Sequence, residues 1–246
     1  MNFARIENLA PLDYAGTEAL NTICANLSFA GRNLRKLIIT SCEAGNGKSY
    51  LTMQIAQNMA QRGKKVVVVD GDLRRSVLIK KYGIATDDKW VGLAHYLADY
   101  NKIEEVVYQT DIEGLYFVPI GQHVANPIPL LNTTEFAQML DALAGEFDMV
   151  LVDAPPVGLV VDAAEIAQLC DGCILVLEYE KTRRRFVKTA KSQIEQSGCP
   201  IIGCILNKVS FETLSSKKYY NQGYYSHYGY RYDESNRGRR KKGTSR

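Results

Sequence analysis

Short apolar runs alternate with amphipathic stretches along most of the chain. The runs are rich in Val, Ile and Leu and have the length of strands, at 36–41, 65–72, 115–121, 149–156, 173–179 and 200–209. The stretch at about 49–62 has helical periodicity, with Leu51, Ile55 and Met59 on one face and Gly63 as a suitable C-terminal cap. Apolar strands separated by helices are typical of a parallel sheet. The pattern therefore predicts a doubly wound α/β domain, with a mainly parallel sheet and helices on both faces.

The apolar pattern ends near Phe211, and Gly, Ser, Asn, Tyr and basic residues dominate the rest of the chain. A segment with so little apolar surface cannot offset the entropy that it would lose on ordering. We therefore expect a helical segment at 1–35, the doubly wound domain at 36–211 and a disordered tail at 212–246. The tail holds seven of the fifteen tyrosines: Tyr219, Tyr220, Tyr224, Tyr225, Tyr228, Tyr230 and Tyr232.

The net charge of +3 is unevenly distributed. Residues 215–246 carry nine Lys or Arg and two acids, a net of +7, so the rest of the chain has a net of −4. No run of eighteen apolar residues is present, and charged residues occur within the first twenty positions. A membrane span and a signal peptide are therefore not expected, and the pattern predicts a cytoplasmic protein.

Six cysteines in a chain without an evident export signal are interpreted as free thiols. Cys170 and Cys173 have the CxxC spacing of a metal or redox pair, but Cys173 opens an apolar strand, which favours packing in the core. The three histidines lack the spacing of zinc ligands, and no G-x-S-x-G motif occurs. Zinc chemistry and a Ser/His hydrolase mechanism therefore have little support.

The sequence SCEAGNGKS, residues 41–49, lies between a predicted strand and the predicted helix. At such a junction the backbone N–H groups and the helix dipole converge on an anion. Gly45 and Gly47 allow the backbone to approach phosphate oxygens, Lys48 can reach the β and γ phosphates, and the Ser49 hydroxyl can bind Mg²⁺. The G-x-x-x-x-G-K-[ST] pattern fails only at its first position, so the stretch predicts a phosphate-binding loop.

Two further strands end in acids. Asp70 and Asp72 follow the run VVVV, and Asp153 follows the run MVLV. The carboxyl ends of parallel strands share one edge of a sheet, so all three acids should lie beside the phosphate loop. Carboxylates there can hold Mg²⁺, and one of them can accept a proton from an attacking hydroxyl. A purely structural role as strand-end caps is a weaker interpretation for three acids at one edge.

Arg74 and Asn207 are further candidates near the same edge. Arg74 lies two positions after Asp72 and could neutralise phosphate charge or simply coat a loop. Asn207 ends the apolar run IIGCIL and could bond to a nucleotide base or serve as a turn residue. The sequence leaves both alternatives open for each residue.

Taken together, the motifs resemble those of the bacterial tyrosine kinases of capsular and exopolysaccharide synthesis. SCEAGNGKS is similar to their Walker A motif, VVVVDGDLR to Walker A′ and MVLVDAPP to Walker B, and the tyrosine cluster completes the set. The resemblance runs from about Pro11 to Tyr232. It implies a P-loop NTPase-like fold and an ATP-dependent kinase that phosphorylates the clustered tyrosines of a neighbouring copy, and so regulates polysaccharide synthesis or export.

The resemblance also implies a role for each site residue. ATP would be bound by the loop and by the end of a later strand: Ala44, Gly45, Asn46, Gly47, Lys48, Ser49, Tyr50 and Asn207. Mg²⁺ would be arranged by Ser49, Asp72 and Asp153. Asp70 would be the candidate base for the tyrosine hydroxyl, with Asp72 as the alternative. Lys48 and Arg74 would complete the catalytic set.

Family members without membrane spans act with a transmembrane activator, a polysaccharide co-polymerase, whose cytoplasmic end completes the nucleotide site. The resemblance therefore implies such a partner, a cognate phosphatase as a further candidate partner, and a peripheral location at the inner face of the plasma membrane. It also implies a homo-oligomer. The arginines that join ring subunits in the family are replaced here by Asn21 and Cys24, so the ring is in question for this chain.

The main alternative is a partition or cell-division type switch ATPase, which shares the fold and the Walker A′ motif. That class carries a signature lysine five residues before the Walker lysine, where this chain has Glu43. A tyrosine-rich tail also has no use in that mechanism, so the kinase is favoured. The tail by itself could bind anionic lipid or nucleic acid, but the rest of the chain has no matching basic signal, so nucleic-acid binding is not expected.

Overall fold

The computed structural model describes residues 2–31, 33–98 and 101–209. The chain up to Lys208 forms one compact unit. The tail predicted at 212–246 and its seven tyrosines lie outside the described residues. Its disorder therefore stays a prediction. Within the described ranges, no helix is both long and apolar enough to cross a membrane.

Nine strands of the described residues form one sheet. The strands are β1 (Asn2–Ile6), β2 (Lys36–Ser41), β3 (Val66–Asp70), β4 (Ile84–Ala85), β5 (Tyr108–Thr110), β6 (Leu115–Val118), β7 (Met149–Asp153), β8 (Gly172–Glu178) and β9 (Ile201–Asn207). Their order across the sheet is β4-β1-β5-β6-β3-β7-β2-β8-β9. Neighbouring strands run parallel except in the β1/β4 and β5/β6 pairs, which are antiparallel. The predicted mainly parallel sheet is therefore confirmed.

The helices connect the strands and cover the sheet. They are α1 (Tyr14–Phe29), α2 (Lys48–Gln61), α3 (Leu78–Tyr82), α4 (Leu93–Leu97), α5 (Ile103–Val106), α6 (Ile128–Leu131), α7 (Thr134–Glu146), α8 (Asp162–Ala167) and α9 (Arg184–Gln196). Helix α2 packs against β3 and β7 and also against α1, whereas α7 packs against β7 and α9 against β9. The predicted alternation of strands and helices is thus present along the chain.

Strand β3 illustrates how both faces of the sheet are covered. Val66 and Val68 join an apolar cluster that includes residues of α1 and α2, whereas Val67 and Val69 join one that includes residues of α7, α8 and α9. All four valines are fully buried. Alternate residues of a strand point to opposite faces, so a continuous apolar run needs helices on both sides. The doubly wound α/β class is confirmed.

The predicted elements correspond closely to observed ones. The six apolar runs correspond to β2, β3, β6, β7, β8 and β9, and the stretch at 49–62 corresponds to α2. Gly63 follows α2 with a φ of 79°, as expected for a left-handed residue after a helix. Cys173 is buried in β8, as its apolar strand predicts. Helix α2 is buried beyond its predicted face because it packs against α1 as well as the sheet.

Strand β1 was not identified from the sequence pattern. Only Ala4 and Ile6 of its five residues are buried, so its period of two is too weak to stand out. It enters the sheet through parallel pairing with β5, more than a hundred residues later in the chain. The segment at 1–35 therefore contributes a strand to the sheet as well as the helix α1.

Candidate active site

The phosphate loop connects β2 to α2 at the carboxyl edge of the sheet. Gly45 and Gly47 have φ angles of 83° and 96°, in the left-handed region that glycine adopts without strain. A Cβ atom at Gly47 would also lie only 2.1 Å from Asn207 Nδ2. Because α2 begins at Lys48, the positive end of its dipole lies at the loop.

The loop also presents unpaired backbone donors. The N–H groups of residues 45–49 donate to no acceptor among the described residues. The buried side chain of Asn46 accepts a hydrogen bond of 3.0 Å from Glu43 N–H and so fixes the turn, while Ala44 and Gly45 are exposed. Backbone donors without a protein acceptor at a helix N-terminus form a site for an anion. The loop therefore has the donors that a phosphate group requires.

Lys48 lies at the centre of a cluster of oxygen atoms. Its Nζ is 3.3 Å from Asp153 Oδ2 at the end of β7 and 3.6 Å from Asp72 Oδ2 just after β3. The same Nζ is 3.3 Å from Ser49 Oγ. Thr52, one turn along α2, donates to Asp153 Oδ1 at 3.4 Å. The predicted lysine, hydroxyl and two carboxylates thus converge from three elements of the fold.

Asp70 is fully buried at the end of β3, where it pairs in register with Asp153 of β7. Its Oδ2 accepts a hydrogen bond from Ser76 Oγ, and its Oδ1 has no partner among the described residues. Burial, followed by the nearby Asp153, raises the pKa of Asp70 from 3.8 to about 8. Burial also raises the pKa of Asp153, although Lys48 opposes that shift. The three predicted acids therefore lie together but differ in their surroundings.

The raised pKa of Asp70 predicts a pH dependence of stability. The unfolded chain loses this proton near its ordinary pKa of 3.8, whereas the folded chain keeps it up to about pH 8. The free energy of unfolding therefore falls as the pH rises between these values. We expect Asp70→Asn to stabilise the protein by about 1 kcal/mol or more at about pH 8.5. The stability difference between Asp70→Asn and the wild type should become smaller as the pH falls towards about 5.

Thermal melts of the wild type and of Asp70→Asn, recorded without nucleotide and with a chelator, measure this effect. Asp111→Asn is a suitable control because Asp111 is an exposed acid away from the phosphate loop. Its side chain accepts a hydrogen bond from Ile6 N–H. A stability difference for Asp70→Asn that did not change with pH would show that Asp70 ionises normally in the folded protein.

Arg74 makes a bidentate ion pair with Asp162. Its Nε and Nη2 donate to the two carboxylate oxygens at 2.6 and 3.0 Å, and its Nη1 donates to Ala125 O at 2.7 Å. Asp162 opens α8 and is 1% exposed. The sequence reasoning missed Asp162, although a lone acid in the apolar run VGLVVDAA was a signal for the buried partner of a cation. The ion pair ties the loop after β3 to α8.

Asn207 and Tyr50 flank the phosphate loop on different elements. Asn207 Nδ2 donates to Asn46 O at 2.9 Å, and its Oδ1 accepts from Lys208 N–H at 2.9 Å. Tyr50 lies in the first turn of α2, where its half-buried ring is 5.3 Å from Lys81 Nζ. The sequence reasoning included both residues, but it missed Lys208, which is also bonded to the loop.

Comparison with known proteins identifies the class of enzyme. The AAA domain family matches residues 35–187, which include the phosphate loop and both acidic strand ends. Tyrosine-protein kinase CpsD of Streptococcus agalactiae is 38% identical over 206 residues, which cover 84% of this chain and 89% of that protein. The chain belongs to the bacterial tyrosine-protein kinases. The predicted enzyme class is therefore confirmed.

Solved structures agree with this assignment of the kinase. The BceF tyrosine kinase domain is similar with a TM-score of 0.71 and 31% identity, over 78% of this chain and 77% of that chain. The cell-division ATPase MinD of Pyrococcus furiosus has a TM-score of 0.57 and 26% identity, over 70% and 71% of the two chains. The P-loop NTPase-like fold is confirmed. The alternative prediction was a partition or cell-division type ATPase, and proteins of that type share the fold but are more distant from this chain.

Proposed function

We propose that this kinase uses Mg-ATP to phosphorylate the tyrosine cluster of a second copy of the chain, and thereby regulates capsular or exopolysaccharide synthesis or export. The acceptors would be Tyr219, Tyr220, Tyr224, Tyr225, Tyr228, Tyr230 and Tyr232. The observation that carries the proposal is the convergence of Lys48, Asp72 and Asp153 at the phosphate loop, with both carboxylates within 3.6 Å of Lys48 Nζ.

The residues of the site fit Mg-ATP. The loop from Ala44 to Tyr50 has N–H donors without an acceptor in the described part of the chain and the cation of Lys48, both of which suit phosphate oxygens. Ser49, Asp72 and Asp153 provide the hard oxygen ligands that Mg²⁺ prefers. When bound, ATP supplies the phosphoryl group and Mg²⁺ neutralises charge on the phosphate oxygens. The chain itself would bind, orient and charge-balance these groups.

We assign to Asp70 the role of the base that removes the proton from the tyrosine hydroxyl. The proton would go to Asp70 Oδ1, which has no hydrogen-bond partner among the described residues. A pKa near 8 suits a base that works close to neutral pH. Asp72 remains the alternative base, although its contact with Lys48 suits a metal ligand better. Arg74 would contribute by fixing the loop that carries Asp72, where Arg75 N–H donates to Asp72 Oδ1 at 3.0 Å.

The three parts of the chain would then have separate roles, with 36–211 as the kinase domain and 212–246 as the substrate tail. Residues 1–35 would contact another copy or the cytoplasmic end of a transmembrane activator, a polysaccharide co-polymerase. Tyr14 and Phe29 of α1 support this role because they are 81% and 86% exposed. The activator would hold the kinase at the inner face of the plasma membrane, and a phosphatase would reverse the modification.

A ring that depends on the family's arginines is not part of this proposal. Asn21 Oδ1 accepts hydrogen bonds from Asn58 of α2 and from Arg62, the residue after α2, at 3.1 and 2.7 Å. Cys24 is buried in the same interface of α1 with the rest of the domain. Both positions are thus used in contacts within one chain, so copies would have to associate through other surfaces.

The proposed function can be tested on the purified full chain. The protein is incubated with Mg-ATP, alone and with the cytoplasmic segment of the activator, and read by intact mass and peptide mapping. We expect phosphate on the tail tyrosines, and none on a variant in which all seven are changed to Phe. That variant should still bind ATP. Steady ATP hydrolysis without modification of any tyrosine would instead favour a switch ATPase.

A further inference from the structure

We propose that Asn207 and Lys208, at the end of β9, are positioning residues that hold the phosphate loop with its N–H groups directed into the nucleotide site. Asn207 then acts on phosphate binding through the shape of the loop. Glu178, at the end of β8, supports Lys208 in this role. The inference rests on the proposed binding of a nucleotide, and it concerns how the loop acquires its binding shape.

Both ends of the Asn207 side chain are already used within the protein. Its Nδ2 donates to Asn46 O of the phosphate loop, and its Oδ1 accepts from the N–H group of Lys208. The amide is packed so tightly that a Cβ atom on Gly47 would collide with it. The amide group has a second N–H donor and its oxygen a second lone pair, so these two bonds fix the side chain against the loop without using all of its hydrogen-bonding groups. The observed contacts of Asn207 therefore support a role in holding the loop.

Lys208 makes a second connection to the loop. Its Nζ donates to Gly45 O at 2.8 Å and lies 3.1 Å from Glu178 Oε2. Asn46 Nδ2 lies 3.5 Å from the same carboxylate oxygen. Lys208 also has a φ of 61°, a left-handed conformation that residues other than glycine rarely adopt. Such strain persists where the surrounding contacts hold it, and it is common at functional sites.

These two connections determine which way the loop donors point. In a trans peptide, the C=O group and the following N–H group point in opposite directions. The carbonyls of Gly45 and Asn46 point towards β9, where Lys208 and Asn207 hold them. The N–H groups of Asn46 and Gly47 must therefore point away from β9, towards the space in front of α2. Loss of either connection would release one donor from its orientation.

Binding of three probes distinguishes positioning from base recognition. Calorimetry would compare Mg-ADP, Mg-GDP and Mg-tripolyphosphate, a probe without a base, on the wild type and on Asn207→Leu. We expect the substitution to weaken all three by a similar factor of about tenfold, the size expected for a lost hydrogen bond. A weaker affinity for Mg-ADP with unchanged binding of tripolyphosphate would overturn the proposal and make Asn207 a base-recognition residue.

The role of Lys208 is tested by a substitution of Glu178. Two explanations of that role, a nearby positive charge and a positioning contact, predict opposite changes in phosphate affinity. If Lys208 acted only as a nearby positive charge, Glu178→Gln would remove a negative charge and tighten phosphate binding. If Glu178 and Lys208 hold the loop together, Glu178→Gln weakens tripolyphosphate binding several-fold. Lys208→Met should weaken it as well, and Lys208→Arg should restore most of the affinity. Tighter binding by Glu178→Gln would overturn the positioning role.

Matched controls separate these effects from loss of structure. Lys191→Met removes the same charge from an exposed ion pair with Glu195 on α9 and should leave binding unchanged. Amide NMR signals of Asn46 and Gly47 should shift in Lys208→Met and Asn207→Leu, while melting temperatures stay close to that of the wild type. A wild type that bound neither ADP nor tripolyphosphate would refute the proposed function itself. Normal binding by the wild type and by both variants would refute only the positioning role.

Discussion

Lys48→Met is expected to reduce phosphorylation of the tail tyrosines by at least about a hundredfold, the scale seen when a group that stabilises transition-state charge is removed. Methionine keeps most of the length of the side chain but removes the cation that lies 3.3 Å from Asp153 and 3.6 Å from Asp72. The phosphate oxygens then lose the positive charge of this side chain in the transition state. The measurement is phosphate incorporation by intact mass, with Mg-ATP at a saturating concentration.

Lys64→Met is the matched control for this substitution. Lys64 forms an exposed ion pair of 3.9 Å with Asp148, so the same change of charge should leave activity intact. Mixing Lys48→Met with an active copy that lacks the seven tyrosines tests transfer between copies. Phosphate on the Lys48→Met tail is expected. Wild-type activity of Lys48→Met alone would mean that the phosphate loop is not the catalytic centre.

Arg74→Met is expected to lower the free energy of unfolding by about 2 to 3 kcal/mol. Removing one partner of a buried ion pair leaves the other carboxylate buried without compensation. The upper end of the usual range is not expected, because the Arg74 side chain is 32% exposed and solvent screens part of the interaction. Urea denaturation at neutral pH measures the change. Kinase activity should fall as well, since Arg74 fixes the loop that carries Asp72.

A second substitution separates the structural role of Arg74 from direct contact with phosphate. Asp162→Asn in the Arg74→Met background replaces the unpaired carboxylate by a neutral amide, and should recover about 1 kcal/mol or more of the lost stability. Arg5→Met serves as the control, since its pair with Asp87 is exposed on both sides and should contribute little. Lost activity in Arg74→Met with unchanged stability would indicate that Arg74 contacts the nucleotide directly.

The candidate site could be predicted in part because some of its residues follow a local rule. The phosphate loop is contiguous in sequence, and its glycines, lysine and serine occupy fixed spacings between a strand and a helix. The acids at 70, 72 and 153 end apolar runs, and the carboxyl ends of parallel strands share one edge. The presence of Lys48, Asp72 and Asp153 within one cluster follows from these two rules.

Other features of the site depend on residues far apart in the chain. Asp162 bonds to Arg74 across 88 positions, and Lys208 bonds to Gly45 across 163. No local pattern relates such residues, because their distance depends on how helices and strands pack against each other. The full burial of Asp70, and with it the raised pKa, is likewise a property of the packed sheet. Such contacts show whether a residue is available to bind the nucleotide or instead holds another residue in place.

The sequence by itself determined the doubly wound class, six of the strands, the phosphate loop and the position of the acids at one edge of the sheet. It could do so because burial and backbone conformation repeat with short periods along a chain. The tertiary structure alone decided that β1 joins the sheet, that Arg74 is paired with Asp162 and that the amide of Asn207 is held by the loop. These outcomes depend on contacts between distant segments, which form only when the whole domain packs around its two apolar layers.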